Sequence, residues 1–206
     1  GRAVTVTYAA SAGTATAGVD YVATSGSLTF VAGDTQETIS VTVNGDTLDE
    51  VNETFLVTIS TPTNATLDDA EATGTITDDD PQPTASINDV SVEEGDSGTV
   101  TAVFTVTLSA ASTKIITINY SSSNGTAVAG EDFTAVAPAT LTFNPGDPLS
   151  QTISVTIQGD EETEPDEQFF INLSGGSNVT LSDNQGIGTI RNDDGHFLYL
   201  PFIVKP

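Results

Sequence analysis

The side chains most densely arranged for chemistry in this chain are carboxylates. Asp46-Thr-Leu-Asp-Glu-Val-Asn-Glu53 returns as Asp160-Glu-Glu-Thr-Glu-Pro-Asp-Glu167, and Asp78-Asp-Asp80 returns as Asn192-Asp-Asp194. A third recurring acid, Asp20 or Asp132, stands directly before an aromatic residue. One Asp on a turn does no more than solvate it. A whole constellation repeated at three places in two copies is different, because carboxylates gathered at one end of a fold repel one another unless a cation sits among them. Hard oxygen donors of this kind suit Ca²⁺, which accepts irregular geometry and mixed carboxylate and carbonyl ligands.

Other chemistries find less support. The single histidine, His196, precedes an apolar tail and would have to carry any imidazole-based triad or metal site alone. Cysteine is absent, which removes thiol chemistry and disulfides. No phosphate-binding loop or dinucleotide fingerprint follows a strand; the Gly-rich stretches are turns. A glycosidase pair drawn from these acids would lack the aromatic platform of a sugar cleft, since there is no Trp and aromatics total 6%. The expectation is therefore a protein that is not an enzyme. The Asn-x-Ser/Thr sequons at Asn52, Asn64, Asn119, Asn124, Asn172 and Asn178 are what chance gives so Ser/Thr-rich a chain.

The elements that must position the acids repeat with them. Tyr8 to Tyr21 matches Tyr120 to Phe133, Ser27 to Phe30 matches Thr140 to Phe143, and Glu37 to Val43 matches Gln151 to Ile157. The offset drifts only from 112 (120 − 8) to 114 (169 − 55), so each copy is one folding unit. Apolar residues alternate with period two, as in Ile39, Val41 and Val43 or Phe169, Ile171 and Leu173, with Gly, Pro, Asn and Asp turns between. This pattern predicts an all-β protein of sandwich type. The second copy adds a lead-in, with strands expected near Val90–Glu94 and Ala102–Leu108, for which the first copy has no counterpart. The expected organisation is an incomplete domain over 1–80, a complete domain over 81–195 after the stiff Asp80-Pro-Gln-Pro83 junction, and a tail over 196–206.

Taken together, the motifs resemble the Calx-beta family, an immunoglobulin-like sandwich first named in sodium–calcium exchangers and widespread in bacterial surface proteins. They are Gly-Thr-Ala-x-Ala-Gly-x-Asp-Tyr/Phe (Gly13 to Tyr21, Gly125 to Phe133) and the Leu-Thr-Phe strand. With them go Asp-x-x-x-Glu-x-x-Glu-x-Phe (Asp46 to Phe55, Asp160 to Phe169) and Gly-Thr-Ile-x-x-Asp-Asp (Gly74 to Asp80, Gly188 to Asp194). The resemblance implies two tandem immunoglobulin-like domains, the first lacking its N-terminal strands, with Ca²⁺ as cofactor. It implies Glu94, Asp132, Asp160, Glu164, Asp193 and Asp194 as ligands in the second domain. In the first it implies Asp20, Asp46, Glu50, Asp79 and Asp80. Exchanger sensor domains carry a further acid just before the loop Asp, where this chain has Gly45 and Gly159. The reduced ligand charge predicts weak sites, with dissociation constants on the order of 10⁻⁴ to 10⁻³ M.

A formal charge of −25, from 29 acids against 4 bases, leaves too few cations to neutralise nucleic acid or hold an anionic membrane surface. No stretch has the length of a transmembrane helix. The tail, Phe197-Leu-Tyr-Leu-Pro-Phe-Ile-Val204, is almost wholly apolar where the strands alternate, and such a run requires burial on both faces or in a partner. The reading these features support is an extracellular or cell-surface structural protein that polymerises with itself head to tail. The tail of one subunit would donate a strand to the first domain of the next, through Phe197, Leu198, Tyr199, Leu200, Phe202, Ile203 and Val204. Two alternatives stand beside it: a piece of a larger calcium-binding adhesin or enzyme with these domains as spacers or ligand-binding arms, and a calcium sensor.

Overall fold

The structure, a computed structural model, describes residues 1–195. They divide between two units, Gly1–Pro81 and the residues from Gln82 onward. Every element among the described residues is a β-strand. His196 and the expected donor strand Phe197 to Val204 lie outside the described residues.

In the first unit, alternating sequences form β1 (Val4–Ala12), β2 (Ser25–Phe30), β3 (Glu53–Thr63) and β4 (Glu71–Ile76). They make one antiparallel sheet in the order β2-β1-β3-β4. Its buried cluster is small: Ala15, Tyr21 and Phe55, with Ala10, Val41, Val57 and Ile76 packed against it. The Tyr21 and Phe55 rings stack at 5.1 Å. The strand expected through Ile39, Val41 and Val43 does not form; this segment makes only an isolated bridge between Val43 and Tyr21. A strand is defined by the neighbour that takes its backbone hydrogen bonds, and the described first unit offers this segment no such neighbour.

In the second unit the equivalent segment has such a neighbour within its own unit. Its strands are β5 (Thr84–Ile87), β6 (Val90–Glu93), β7 (Gly98–Leu108), β8 (Ile116–Asn124), β9 (Ala139–Phe143), β10 (Ser150–Gly159), β11 (Glu167–Ser177), β12 (Thr180–Leu181) and β13 (Gln185–Arg191). One sheet runs β10-β7-β5-β12 and the other β6-β13-β11-β8-β9. Thus β10, which matches the strandless segment of the first unit, pairs along its whole length with β7, from Ser150 opposite Thr107 to Gly159 opposite Gly98. The inward residues of both sheets share one core, with Phe104, Val106, Ile118, Phe133, Ile157, Phe169 and Ile171 all at or below 1% exposure. Phe104 from one sheet meets Phe169 from the other edge-on at 5.8 Å. This is a two-layer sandwich.

Candidate metal centre

The shared Gly-Thr-Ala-x-Ala-Gly-x-Asp motif folds the same way in both units, and each step has a local cause. Gly18 and Gly130 take positive φ (86° and 96°), the region that glycine enters without penalty. Asp20 then turns back, one side-chain oxygen accepting from the Thr16 amide at 2.6 Å; Asp132 does the same with the Val128 amide at 2.6 Å. The backbone carbonyl of the same acid accepts from Asn44 in one unit (2.9 Å) and Gln158 in the other (2.8 Å), tying the turn to the acidic loop's approach. Gly13 and Gly125 lie so near β3 and β11 that a Cβ would strike the carbonyls of Thr54 and Gln168. The acidic loops open with matching turns, Asp46 accepting from the Leu48 amide (2.8 Å) and Asp160 from the Glu162 amide (2.7 Å).

These turns bring carboxylates together at one end of each unit. In the first, Asp20, Glu50 and Glu53 each offer an oxygen within 4.8 Å of the others. In the second, Asp132, Glu164 and Glu167 repeat that group, and Glu94, Asp193 and Asp194 form another within the same limit. Asp46, Asp79, Asp80 and Asp160 fall outside these tight groups, but the charges of Asp46, Asp80 and Asp160 act on members of them. Glu50 is raised by burial and then by Asp46, Asp20, Asp78 and Asp80. Asp80 is raised by burial, then by Asp79 and Asp46. Asp160 acts on both Glu94 and Glu164.

Glu53 and Glu167 were not singled out from the sequence, although both stand in the repeated loop motif. Each stands two residues ahead of a buried Phe. That same position, at the first residue of β3 and β11, holds each beside Asp20 or Asp132. Asp49, 2% exposed, was also passed over.

Electrostatics reports the crowding. Burial, then the charges of Asp160, Glu164, Asp194 and Asp193, pushes the Glu94 carboxyl up from 4.5 to about 7. Glu167 is likewise pushed up to about 7, by burial, by a hydrogen bond with Asp132 and by that residue's charge. Glu50, Glu53, Glu164, Asp80 and Asp194 move the same way. Glu94 is only 5% exposed, and Asp194 Oδ2 is buried with no hydrogen-bond partner. Buried acceptors without donors are costly in a folded protein. Oxygen-only donors, several of them charged and one orphaned, fit a hard divalent cation such as Ca²⁺. Glu94 reaches its group because β6 lies parallel on β13; Gly95 then donates to Asp193 Oδ1 at 2.9 Å.

The Calx-beta domain model matches residues 1–80 and 84–194, and the chain belongs to the Calx-beta domain family. It is 30% identical to sodium/calcium exchanger 1 of Bos taurus across 90% of its length, and 31% identical to that of Rattus norvegicus across the same share. The chain spans about a fifth (21%) of the length of these relatives. Among solved structures it is similar to CBD12 from CALX1.2, with 19% identity, 92% of this chain and 88% of that chain covered, and a TM-score of 0.45. It is also similar to the apo form of the Calx CBD1 domain, with 24% identity, 54% of this chain and 99% of that chain covered, and a TM-score of 0.44. Among the described residues no helix is long and apolar enough to cross a membrane.

Proposed function

We propose that this chain is a tandem calcium-binding module in which Ca²⁺ joins the acidic loops to the strand ends and stiffens each unit, without catalysing a reaction. The observation that carries the reading is the group Glu94, Asp193 and Asp194, with Glu94 buried and Asp194 Oδ2 unpartnered. In the second unit Glu94, Asp132, Asp160, Glu164, Asp193 and Asp194 hold the cation, with Glu167 added from the structure. In the first unit Asp20, Asp46, Glu50, Asp79 and Asp80 do so, with Glu53 added. Sites of the weak class argued from the sequence would be filled in an extracellular or cell-surface setting. Calorimetric titration of the chain with Ca²⁺, together with melting in calcium and in chelator, tests this. Asp160→Ala or Glu164→Ala should lower the melting temperature in calcium and leave the calcium-free value unchanged or raised. The same thermogram with and without calcium in the intact chain overturns the reading. Turnover of a glycan or peptide substrate that one carboxylate substitution abolishes would overturn the non-catalytic part.

A second reading, strand donation from the tail, is favoured by one feature of the first unit. Ile39 and Val41 are half exposed and Val43 is 48% exposed, where their counterparts Ile153, Val155 and Ile157 are covered and paired. The tail of a second copy, Phe197 to Val204, has the length and apolar character to lie along this segment. Burying about four apolar side chains would contribute roughly 6–12 kcal/mol before the costs of association. Head-to-tail contacts of this kind build filaments. Removing Phe197 to Pro206 should leave soluble monomers, and filaments that persist without the tail refute the mechanism.

A further inference from the structure

Near its beginning and at its end the second unit contributes two strands that lie side by side and run the same way. β6 is parallel to β13, with Gly188 opposite Val90, Thr189 opposite Ser91, Ile190 opposite Val92 and Arg191 opposite Glu93. The pair is fastened at both of its ends. Where it starts, the Ile187 amide donates to Asp89 Oδ1 at 2.8 Å, and a Cβ on Gly186 would lie 2.8 Å from the Asn88 carbonyl oxygen. Where it finishes, the Glu94 amide donates to the Arg191 carbonyl at 3.2 Å and the Gly95 amide to Asp193 Oδ1 at 2.9 Å. Between these points Val90 and Val92 pack against the core.

This strand order fixes how the unit meets tension. A pull along the chain enters at β5 and leaves after β13. β5 is held by short pairings, three residues with β7 and two with β12, so once it slips the load falls on β6. β6 is then drawn back towards its start and β13 forward past its end, along one shared axis. The evenly spaced bonds of a parallel pair are loaded together in that geometry, where peeling would break them one after another. Each bond contributes little alone, and breaking them in a single event raises the barrier.

We infer that β6 and β13 form a tension-bearing clamp and that Ca²⁺ held by Glu94, Asp193 and Asp194 locks it, so that calcium sets how well the second unit resists a pull along the chain. Glu94 directly follows β6, and Asp193 and Asp194 come just after β13, with an oxygen from each within 4.8 Å of the others. A slip of one residue displaces the strands by about 3.3 Å. That exceeds what a Ca–O bond of roughly 2.3–2.6 Å can absorb, so the strands cannot slide until the ion loses a ligand. Without the ion the same carboxylates repel one another and push the two strand ends apart. The other group, Asp132, Glu164 and Glu167, has no member on or beside either strand of the clamp. The inference rests on the reading of the acidic clusters as calcium sites and adds a direction to it: one of the two groups resists sliding.

Single-molecule stretching of the whole chain between handles at its two ends, in calcium and in chelator, tests this. The second unit is recognised by a lengthening of roughly 350 Å, the extended span of residues 84–191 at about 3.3 Å per residue. At one fixed force calcium should slow its unfolding about tenfold or more, since forced unfolding reads the unfolding rate. Glu94→Gln should remove that slowing. Glu164→Gln, which disturbs the other group, should lower the melting temperature in calcium and keep most of the slowing. The chain has no cysteine, so Asp96→Cys with Gly195→Cys places both handles at one end of the pair and peels it. In chelator, peeling should need about half the end-to-end force or less. A chain that binds no calcium overturns the functional reading and this inference with it. A chain that binds calcium but unfolds equally fast under load with and without it overturns this inference alone. So does slowing that survives Glu94→Gln, slowing that Glu164→Gln removes as fully, or peeling that needs as much force as the end-to-end pull.

Discussion

Phe55 and Phe169 occupy the same place in the same motif, yet they end in different surroundings. Each stacks on the aromatic residue of the Gly-Thr-Ala turn, Tyr21 at 5.1 Å and Phe133 at 4.6 Å. Each also fills the space over a glycine, so that a Cβ on Gly74 or Gly188 would strike its ring. Beyond this they part. Phe169 meets Phe104 from the opposite sheet and belongs to a core that draws on both layers; Phe55 belongs to a cluster of three buried residues. Short-range sequence is enough to build the acidic turn and its aromatic anchor. It is not enough to bury an apolar face, which needs a second layer. The two units therefore separate the cost of placing carboxylates from the packing that offsets it.

The largest effect expected from this difference is in the anchors. Phe169→Ala leaves a cavity inside a two-layer core and should cost about 4 kcal/mol, within the usual range for such truncations. Phe55→Ala removes a ring from a cluster of three buried residues, where fewer core neighbours surround the gap, and should cost about half as much. Chemical denaturation of the two variants measures both values, and equal losses would mean that the first unit is as well packed as the second.

Most of what positions the acids was legible because it is local. The positive-φ glycines Gly18 and Gly130, the Asp that caps its own turn and the Asx turns at Asp46 and Asp160 all lie in short motifs with fixed spacing. What could not be read locally was the state of residues 39–43. Their alternation is as regular as that of Ile153, Val155 and Ile157, but alternation records only which side chains are apolar. Whether the backbone becomes a strand depends on a neighbour distant in sequence, here β7 for β10. The roles of Glu53 and Glu167 were hidden for a related reason: a strand's first residue looks the same in sequence whether it faces solvent or the carboxylate of Asp20 or Asp132.

A smaller effect should separate the calcium responses. Among the described residues the second unit has two close carboxylate groups, one of them built on Glu94, and the first unit has one. The second unit should therefore bind Ca²⁺ more tightly, and calcium at a hundred times its dissociation constant should add about 2.7 kcal/mol to its stability. Glu94→Gln should remove most of that gain and leave the first unit's response in place. Melting curves in calcium that show one shared, unchanged response for both units would contradict the assignment of Glu94.

Smaller again is the contrast between Gly159 and Gly45. Adding a methyl at Gly159 drives a Cβ into the Gly95 carbonyl, so Gly159→Ala should cost roughly 1–3 kcal/mol, as overpacking does. Gly45→Ala meets open space and should stay within about 0.5 kcal/mol of the unchanged protein. A substantial loss at Gly45 would show that its surroundings are filled.

The least expected shift, and the one that tests the electrostatics alone, is with pH in the absence of calcium. Glu94 and Glu167 have folded-state values raised to about 7 from 4.5, by burial first and neighbouring carboxylates second. A carboxyl of this kind holds its proton more tightly folded than unfolded between those two values. Its contribution to stability is thus fully present below about 4.5 and is lost as pH rises through about 7. Calcium-free melting temperature should therefore climb as pH is lowered from 8 towards 5. Once solvent screening is discounted, the gain is on the order of 1 kcal/mol, or a few degrees. Saturating calcium reverses the slope, because protons and Ca²⁺ compete for the same oxygens and lowering the pH then displaces a stabilising ligand. Glu94→Gln, which cannot titrate, should lessen the calcium-free slope in the second unit, where Glu167 still titrates, and leave the first unit's profile intact. A calcium-free melting temperature that falls steadily from pH 8 to pH 5 would mean that these carboxylates are not crowded in the folded chain.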